Sequence, residues 1–363
     1  MDTPSDVIGF LATKYAYFEF IPACVGTILN IFHLIILTRK SMRHTSINIL
    51  MAGISICDLL NMLYLIYLRV SNFINDDAEC ENYVTYPQAM ITFITMGIKE
   101  ITRRLSTWLG VLLASVRLII IKSSTNPRFN HISKQAFGIQ ASLVFLLFSV
   151  LVSSLYFARI TITEYPTRWM PLEHCKNYPS NYSEPTYGFS FGNFLFIEED
   201  TAEQIYFIAD GGFKVLAAVL LPILTIFLIV ELKVAKEKIS VSSLRNPTES
   251  SKSNSTTILV VLMTMTFIIA DGPIGVAGIV QGIFMKKEMV EEMVTVVMIL
   301  SILGIFVTFN STIHCVICLF VSSPYRQTVK SLFLCKDENP NTIFQTSRIS
   351  RSGASKARQR ISN

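Results

Sequence analysis

The sequence predicts a bundle of seven membrane-spanning α-helices, and three observations lead to this fold class. The chain has 363 residues, of which 51% are hydrophobic and only 16% are charged, and its mean hydropathy is +0.48. Soluble domains carry roughly 25% charged residues, so a soluble enzyme or a disordered chain is disfavoured. Long apolar blocks recur along the chain, and each is long enough to cross a bilayer. Because these blocks lack the alternating pattern of a membrane barrel, each is predicted to be a helix.

The predicted spans follow the apolar blocks in chain order. They cover residues 17–38, 46–70, 88–121, 135–158, 206–231, 256–284 and 293–321. Residues 1–16 are assigned to an extracellular N-terminus, 17–321 to the membrane domain, 322–335 to an interfacial helix and 336–363 to a disordered tail. The first residues carry acid where a signal peptide would carry Lys or Arg, so the first span is expected to stay as an anchor.

The orientation of the spans follows from Lys and Arg in the loops. Basic residues cluster after spans one, three, five and seven: Arg39, Lys40, Arg43, Lys122, Arg128, Lys134, Lys233, Lys236, Lys238, Arg245, Lys252, Arg326 and Lys330. The opposite loops are acidic, with Asp76, Asp77, Glu79, Glu81, Glu164, Glu173, Glu184, Glu198, Glu199, Asp200 and Glu203. This distribution predicts a multi-pass plasma-membrane protein with its N-terminus outside and its C-terminus in the cytoplasm.

The cysteines divide by their surroundings. Four lie inside apolar blocks, where a free packed thiol is the usual state: Cys24, Cys57, Cys315 and Cys318. Cys80 and Cys175 fall in predicted extracellular loops, where an oxidising environment permits a disulfide, so we expect them to pair. Asn181 opens an Asn-Tyr-Ser glycosylation acceptor in the same outer loop.

Span three carries four charged residues where charge is expensive: Lys99, Glu100, Arg103 and Arg104. Glu100 and Arg104 are four residues apart in the favourable acid-first order, which predicts a pair within the helix. Arg103 and Asp271 of span six match in depth, which predicts a pair across the bundle. Two interpretations stay open, namely an ion-pair network that holds spans three and six together and a polar ligand pocket.

A second buried polar group joins Asp58 of span two, Ser106 of span three and Asn310 of span seven, all at middle depth. A sodium ion or a water cluster could join them, and hydrogen-bonded packing between helices is the alternative. No other cofactor or metal is expected. Pro222 and Pro273 are each expected to kink a span, because proline removes a backbone donor.

Placed in order, these features resemble the rhodopsin-like G-protein-coupled receptors, through Asn30, Asp58, Arg117, Pro222 and Pro273. The run Ile-Thr-Arg-Arg-Leu-Ser-Thr-Trp-Leu-Gly at 101–110 and the Asn-Ser-Thr-Ile-His motif at 310–314 look like the nematode class W serpentine receptors, which are similar to FMRFamide-type neuropeptide receptors. The resemblance implies ligand-driven nucleotide exchange on a heterotrimeric G protein, and it implies no enzymatic chemistry.

Three motifs depart from the pattern of that family. The usual Asp-Arg-Tyr is Val-Arg-Leu at 116–118, which keeps the arginine that meets the G protein but loses the neighbouring acid. Asp271 stands where a Trp usually precedes the proline of span six. The span-seven motif at 310–314 has neither proline nor tyrosine. Arg117 is therefore the predicted G-protein contact, without the restraint that the acid normally gives.

The segment after span seven is predicted to be an amphipathic interfacial helix that contacts membrane lipid. Cys335 follows it at the membrane surface, where palmitoylation and a plain reduced thiol are the two alternatives. The tail beyond carries several serines among basic residues, and phosphorylation there would lower its positive charge and recruit a desensitising partner such as arrestin.

The loops and the inner pocket point to different ligands. Acidic outer loops favour a cationic ligand, which suits an amidated FMRFamide-like peptide. The net basic inner pocket suits a ligand that bears a carboxylate. The predicted ligand-binding residues are Lys99, Glu100, Arg103, Arg104, Asp271 and Phe267, with the aromatic end of a peptide placed near Trp108, Phe267 and Phe306.

Two other functions were weighed against the peptide receptor. The alternative within the same fold is a chemosensory receptor for an environmental small molecule. A transporter or light-driven pump is disfavoured, because the sequence has no inverted repeat and span seven has no lysine between Val294 and Val321 to form a Schiff base. No nucleic-acid partner is expected.

Overall fold

The computed structural model describes the backbone of residues 4–77, 83–122, 129–171, 175, 178–179, 181–193, 197–242, 247–285 and 289–333. Within these ranges, side chains are described from residue 18 onward, except those of residues 72, 74–77, 199–200, 235–260 and 290. Within these ranges the chain forms eight helices and a two-stranded sheet. The elements are α1 Pro4–Leu37, α2 Ser46–Asp77, α3 Tyr86–Lys122, α4 Gln135–Phe157, β1 Ile160–Glu164, β2 Tyr187–Phe191, α5 Glu199–Ser242, α6 Pro247–Met285, α7 Val290–Val321 and α8 Ser323–Phe333.

Seven of these helices are long and apolar enough to cross a membrane, which confirms the predicted seven-helix bundle. The apolar stretches are Phe18–Leu37, Ser46–Ser71, Tyr86–Lys122, Gln135–Phe157, Thr201–Val234, Val261–Met285 and Glu291–Val321. Large apolar side chains cover the outside of the bundle, as at Ile28, Leu147 and Phe320, which are 69%, 69% and 74% exposed. Such exposure is favourable only next to lipid. The chain is therefore a multi-pass membrane protein.

Several helices extend beyond the apolar blocks that predicted them. α5 begins at Glu199 and ends at Ser242, whereas its predicted span covers 206–231. The added turns contain Glu, Gln and Lys, which are good helix formers in water. Hydropathy marks only the part of a helix that lies in the apolar layer, so it gives the span and not the full length of the helix.

The helices pack around α3, which contacts α2, α4 and α5, while α7 contacts α1 and α6. α5 and α6 approach closely through glycines. A Cβ atom on Gly275 would lie 2.9 Å from the carbonyl oxygen of Gly211, so only glycine fits there. Small residues permit this close approach of backbones between membrane helices. Pro222 and Pro273 lie within the continuous helices α5 and α6.

A β-hairpin between α4 and α5 was not predicted. β1 and β2 are antiparallel, and their register runs from Ile160 opposite Phe191 to Glu164 opposite Tyr187. The backbone N–H of Tyr187 donates to the carbonyl oxygen of Val84, at 2.9 Å, which ties the hairpin to the start of α3. We call this end of the bundle the hairpin end, and the opposite end the α8 end.

α8 confirms the predicted helix after span seven. Its Tyr325 is 1% exposed and makes a 2.8 Å hydrogen bond to Nδ1 of His33 on α1. Burial raises the pKa of Tyr325. This contact fixes α8 against the bundle. The association of α8 with lipid stays a prediction.

Candidate functional site

A group of seven charged side chains lies in the hairpin-end half of the bundle, which we call the polar cluster. α3 contributes four, α5 two and α6 one: Lys99, Glu100, Arg103, Arg104, Asp210, Lys214 and Asp271. Four of these residues are cationic and three are carboxylates. With all of them ionised, the cluster has one positive charge in excess, in a region where each charge needs a partner.

Arg104 is held entirely by protein groups. Its Nε and Nη2 donate to Oδ1 of Asp210 at 2.9 and 2.6 Å, and its Nη1 donates to the carbonyl oxygen of Ser149 and to Oγ of Ser153. Nη2 also donates to the hydroxyl of Tyr206 at 3.3 Å. The side chain is 1% exposed. Arg104 therefore joins α3 to α4 and α5 and has no donor free for a ligand, although it was predicted to bind one.

The predicted pair between Glu100 and Arg104 is wrong. Glu100 instead pairs with its neighbour Lys99, with 3.0 Å between Nζ and Oε1. Asp210 attracts Arg104 to α5, and Lys214 approaches the other oxygen of the same carboxylate at 2.5 Å. A carboxylate on a facing helix that accepts several charge-assisted bonds outcompetes a partner along the same helix, which contributes only a few tenths of a kcal/mol.

The predicted direct pair between Arg103 and Asp271 is also wrong. Among the described side chains, the ion pairs within 4.0 Å do not include these two. Asp271 is 5% exposed, and Arg103 and Lys214 attract its carboxylate electrostatically. Nε and Nη2 of Arg103 are buried without a hydrogen-bond partner. Arg103 thus has buried donors left over for an acceptor oxygen of a ligand.

Phe267 lies in the packed interior of the bundle, deeper than the residues that a ligand would contact. It is 3% exposed and packs in a core with Ala114 of α3 and Leu221 of α5. Its ring centre lies 5.2 Å from that of His314 on α7. Trp108 stacks on Phe145 with 6.0 Å between ring centres. Phe306 is 47% exposed on the outside of the bundle, so its predicted place beside the other two aromatic residues is wrong.

The second polar group centres on Asp58, and its partners differ in part from the prediction. Ser106 donates to Oδ1 of Asp58 at 3.2 Å, as expected. Oδ1 also accepts from Ser311 at 3.1 Å, and Nδ1 of His314 lies 3.1 Å from Oδ2. Asn310 is not among these direct partners of Asp58 in the part of the chain that the structure describes, and its Oδ1 is buried without a hydrogen-bond partner, so a link through an ion or water stays a prediction. Ser311 and His314 are three residues apart and share the face of α7 that meets α2.

This donor set does not fit a sodium ion. A hard cation needs several oxygen ligands with free lone pairs. Two hydroxyl groups already donate to one oxygen of Asp58, and an imidazole nitrogen lies against the other. Among the described residues, no group of three or more His, Cys, Asp or Glu side chains could hold a metal ion.

Arg117 lies at the α8 end, where the side chains border a cavity of about 420 Å³. The walls include Met51, Ile120, Leu228 and Tyr325. Arg117 is 6% exposed, and its Nη2 lies 3.9 Å from Sδ of Met51, a weak acceptor. Val116 precedes it where an acid would offer a partner. The arrangement is an open cavity with a buried guanidinium at its inner end.

Comparison with known proteins identifies the family. A family model described as "Serpentine type 7TM GPCR chemoreceptor Srw" matches residues 17–336. The chain belongs to the Srw family of seven-helix receptors. This confirms the resemblance to class W serpentine receptors that the span-three and span-seven motifs indicate. Srw is a family of G-protein-coupled receptors and not of enzymes.

A curated relative supports the same assignment over a shorter stretch. The chain is 27% identical over 121 residues to "G-protein coupled receptor dmsr-1" of Caenorhabditis elegans. The aligned stretch covers 33% of this chain and 24% of that protein, so it spans about a quarter of the relative's length.

The sequence analysis missed several residues of this Srw receptor. Asp210 and Lys214 are four residues apart within predicted span five, and that spacing of opposite charges in an apolar block was the available signal. Glu19 was also missed. It is 7% exposed, pairs with Arg69 at 3.2 Å and accepts from Thr308 at 3.3 Å, which joins α1, α2 and α7.

The structure describes some of the predicted cysteine and glycosylation sites, and others lie outside the described residues. Cys24, Cys57, Cys315 and Cys318 are free, as predicted. Cys175 is disulfide-bonded, but Cys80 lies outside the described residues, so their pairing stays a prediction. Asn181 is exposed, with a left-handed φ of 72° that asparagine tolerates, and its glycosylation stays a prediction. Cys335 also lies outside the described residues.

Proposed function

We propose that this Srw receptor binds a cationic, C-terminally amidated peptide at the hairpin end and activates a heterotrimeric G protein at the α8 end. The observation that carries the proposal is the side chain of Arg103, whose buried Nε and Nη2 have no acceptor, in electrostatic contact with the buried carboxylate of Asp271. The resemblance to FMRFamide-type receptors agrees with it.

The primary amide of such a peptide matches both groups. Its carbonyl oxygen accepts from Arg103, and its NH₂ group donates to Asp271. A free carboxylate would satisfy Arg103 but would be repelled by Asp271. A buried donor or acceptor without a partner costs about 1–3 kcal/mol, so a ligand that satisfies both groups gains specificity as well as affinity. In this proposal, the amide end of a cationic ligand is compatible with a net basic inner pocket.

The acidic residues of the loops at the hairpin end support a basic residue elsewhere in the peptide. Glu198 is exposed there, and Glu164 is half-exposed in a weak ion pair with Arg168 at 3.8 Å. Charges of one sign around a cleft attract ligands of the opposite sign. We place the hairpin end and the N-terminus outside the cell and the tail in the cytoplasm, on the loop distribution of Lys and Arg.

On the opposite face, we assign Arg117 and its cavity to the G protein. The buried guanidinium has no carboxylate partner among the described side chains, so it has donors for carbonyl groups of an inserted helix end. α6 links the two sites. Asp271 and Phe267 are four residues apart on one face of α6. Phe267 packs against α3 and, together with Arg117, lines a second, smaller space between α3, α5 and α6.

The test is G-protein activation in cells that express the chain, with a library of amidated peptides and the free-acid form of each peptide that responds. We expect a saturable response that is at least tenfold weaker for the acid form. Arg117→Ala abolishes the response while ligand binding persists. Arg103→Gln weakens the response to the amide, and Asp271→Asn reduces the preference for amide over acid.

Surface expression of each variant is measured in parallel, so that a folding defect is not taken for a signalling defect. Arg39→Gln, in the basic loop after α1, is the matched control for the loss of a cation and leaves the potency of the peptide unchanged. Equal potency of amide and acid forms would contradict the role of Asp271 and Arg103. Silence across all peptides would contradict the peptide ligand itself.

The second candidate function is chemoreception of an environmental small molecule. The description of the matching family as chemoreceptors favours it. The polar cluster would then bind a charged or zwitterionic metabolite, with Arg103 contacting its acceptor oxygen. A response to charged metabolites in cells that are silent to peptides separates the two functions.

A further inference from the structure

Asp58 carries a buried negative charge at the centre of the bundle. The side chain is 3% exposed, and two neutral hydroxyl groups, from Ser106 and Ser311, donate to its Oδ1. Hydroxyl groups supply dipoles but no net charge. An ionised carboxylate in apolar surroundings needs a positive charge beside it, because its desolvation is otherwise too costly.

His314 occupies the position where that positive charge is needed. Its Nδ1 lies 3.1 Å from Oδ2 of Asp58, and the side chain is 2% exposed. Two lone pairs facing each other at this distance would repel, so a proton lies between the two atoms. On the carboxyl group, or on an imidazole that is also protonated at Nε2, this proton compensates the charge of Asp58, and on a neutral imidazole it adds a third dipole to those of the two hydroxyl groups. In each case the imidazole occupies the space beside Oδ2 that a cation would need.

The imidazole is fixed in this position. The ring of Phe267 packs on one side of it, with 5.2 Å between ring centres. The space beside it, between Met51 and Met263, is too small to hold a water molecule. His314 therefore cannot move aside to admit a hydrated ion at Oδ2 unless the packing of α6 and α7 changes.

We propose that the imidazole of His314, packed against Oδ2 of Asp58, takes the place of a sodium ion, and that this receptor does not bind sodium in its helix bundle. The same geometry makes the carboxylate a latent sodium site. Replacing His314 by Asn removes the imidazole and supplies a carbonyl oxygen, and Asp58, Ser106 and Ser311 then offer four oxygen ligands together with it.

The experiment compares the thermal unfolding of purified receptor in equal concentrations of sodium chloride and choline chloride, so that ionic strength is constant. Wild-type receptor has the same Tm in both salts. His314→Asn unfolds at a lower Tm in choline chloride, and sodium raises this Tm in a saturable way, as a ligand bound only by the folded state does. The double variant Asp58→Asn/His314→Asn loses the sodium effect.

His33→Asn is the matched control, because His33 is also buried but bonds to Tyr325 instead of Asp58. Its Tm falls by the same amount in both salts. A sodium-specific increase in the Tm of wild-type receptor that is lost in Asp58→Asn would overturn the proposal, and this comparison stands even if His314→Asn fails to fold. A folded His314→Asn receptor with no sodium response would overturn the latent site.

Discussion

Replacing Asp210 by Asn tests the conclusion that Arg104 is a structural residue and not a ligand contact. The change keeps the shape of the side chain but removes the charge that accepts from Arg104 at 2.9 and 2.6 Å and from Lys214 at 2.5 Å. It leaves a guanidinium that is 1% exposed without its counter-charge. Breaking a buried ion pair by removing one partner costs about 3–5 kcal/mol. At about 2–4 °C per kcal/mol, the Tm falls on the order of 10 °C.

The assay is thermal unfolding of the purified receptor in one detergent, with Glu164→Gln as the matched control. Glu164 and Arg168 form an exposed pair at 3.8 Å, with half of each side chain accessible. Such surface pairs contribute about 0–1 kcal/mol, so the control shifts the Tm by only about a degree or two. If the Tm of Asp210→Asn falls no further than the Tm of Glu164→Gln, the reasoning is refuted. The triple replacement Arg104→Met/Asp210→Leu/Lys214→Leu recovers much of the lost stability, because it removes the buried carboxylate together with both of its cationic partners.

Two further substitutions test the packing of α3 against Phe267 and the packing of α8 against α1. A Cβ atom on Gly110 would lie 3.1 Å from the ring of Phe267, so Gly110→Ala costs about 1–3 kcal/mol. Gly97→Ala, whose nearest atom is at 4.0 Å, does not lower the Tm, because alanine is the better helix former. Equal unfolding temperatures for the two alanine variants would contradict this. Tyr325→Phe removes the hydrogen bond to His33 and costs about 1 kcal/mol, measured by the same thermal unfolding, and an unchanged Tm would show that the bond contributes nothing.

The architecture was predictable because lipid imposes strict rules on sequence. A helix that crosses the bilayer must be apolar over about 20 residues, so the seven spans appear directly in the hydropathy. The hairpin between α4 and α5 follows no such rule. Ile160 and Ile162 alternate with polar residues over only five positions, and so short a pattern between charged loops is a weak signal.

The site was predictable in its residue types but not in its partners. Sequence shows that Arg104 and Asp58 lie in apolar blocks and therefore need partners. It does not show which facing helix presents the partner, because that depends on the rotation of each helix about its axis. The rule for residues four apart suggested Glu100 for Arg104, whereas the bundle turns Arg104 toward Asp210. The same uncertainty about helix rotation applies to α7, where the residue that bonds directly to Asp58 is Ser311 and not its neighbour Asn310.

The position of Phe267 explains how two distant sites can depend on each other in the proposed mechanism. Asp271 lies one turn nearer the hairpin end on the same face of α6, so a ligand that changes the position of Asp271 also moves Phe267. Phe267 fills the space against Gly110 of α3 and contacts His314 of α7. Because packed interiors leave no room for a gradual shift, the ring has to repack against both helices together. His314, which contacts Asp58, thus lies against Phe267, the side chain that would transmit the effect of the ligand toward Arg117.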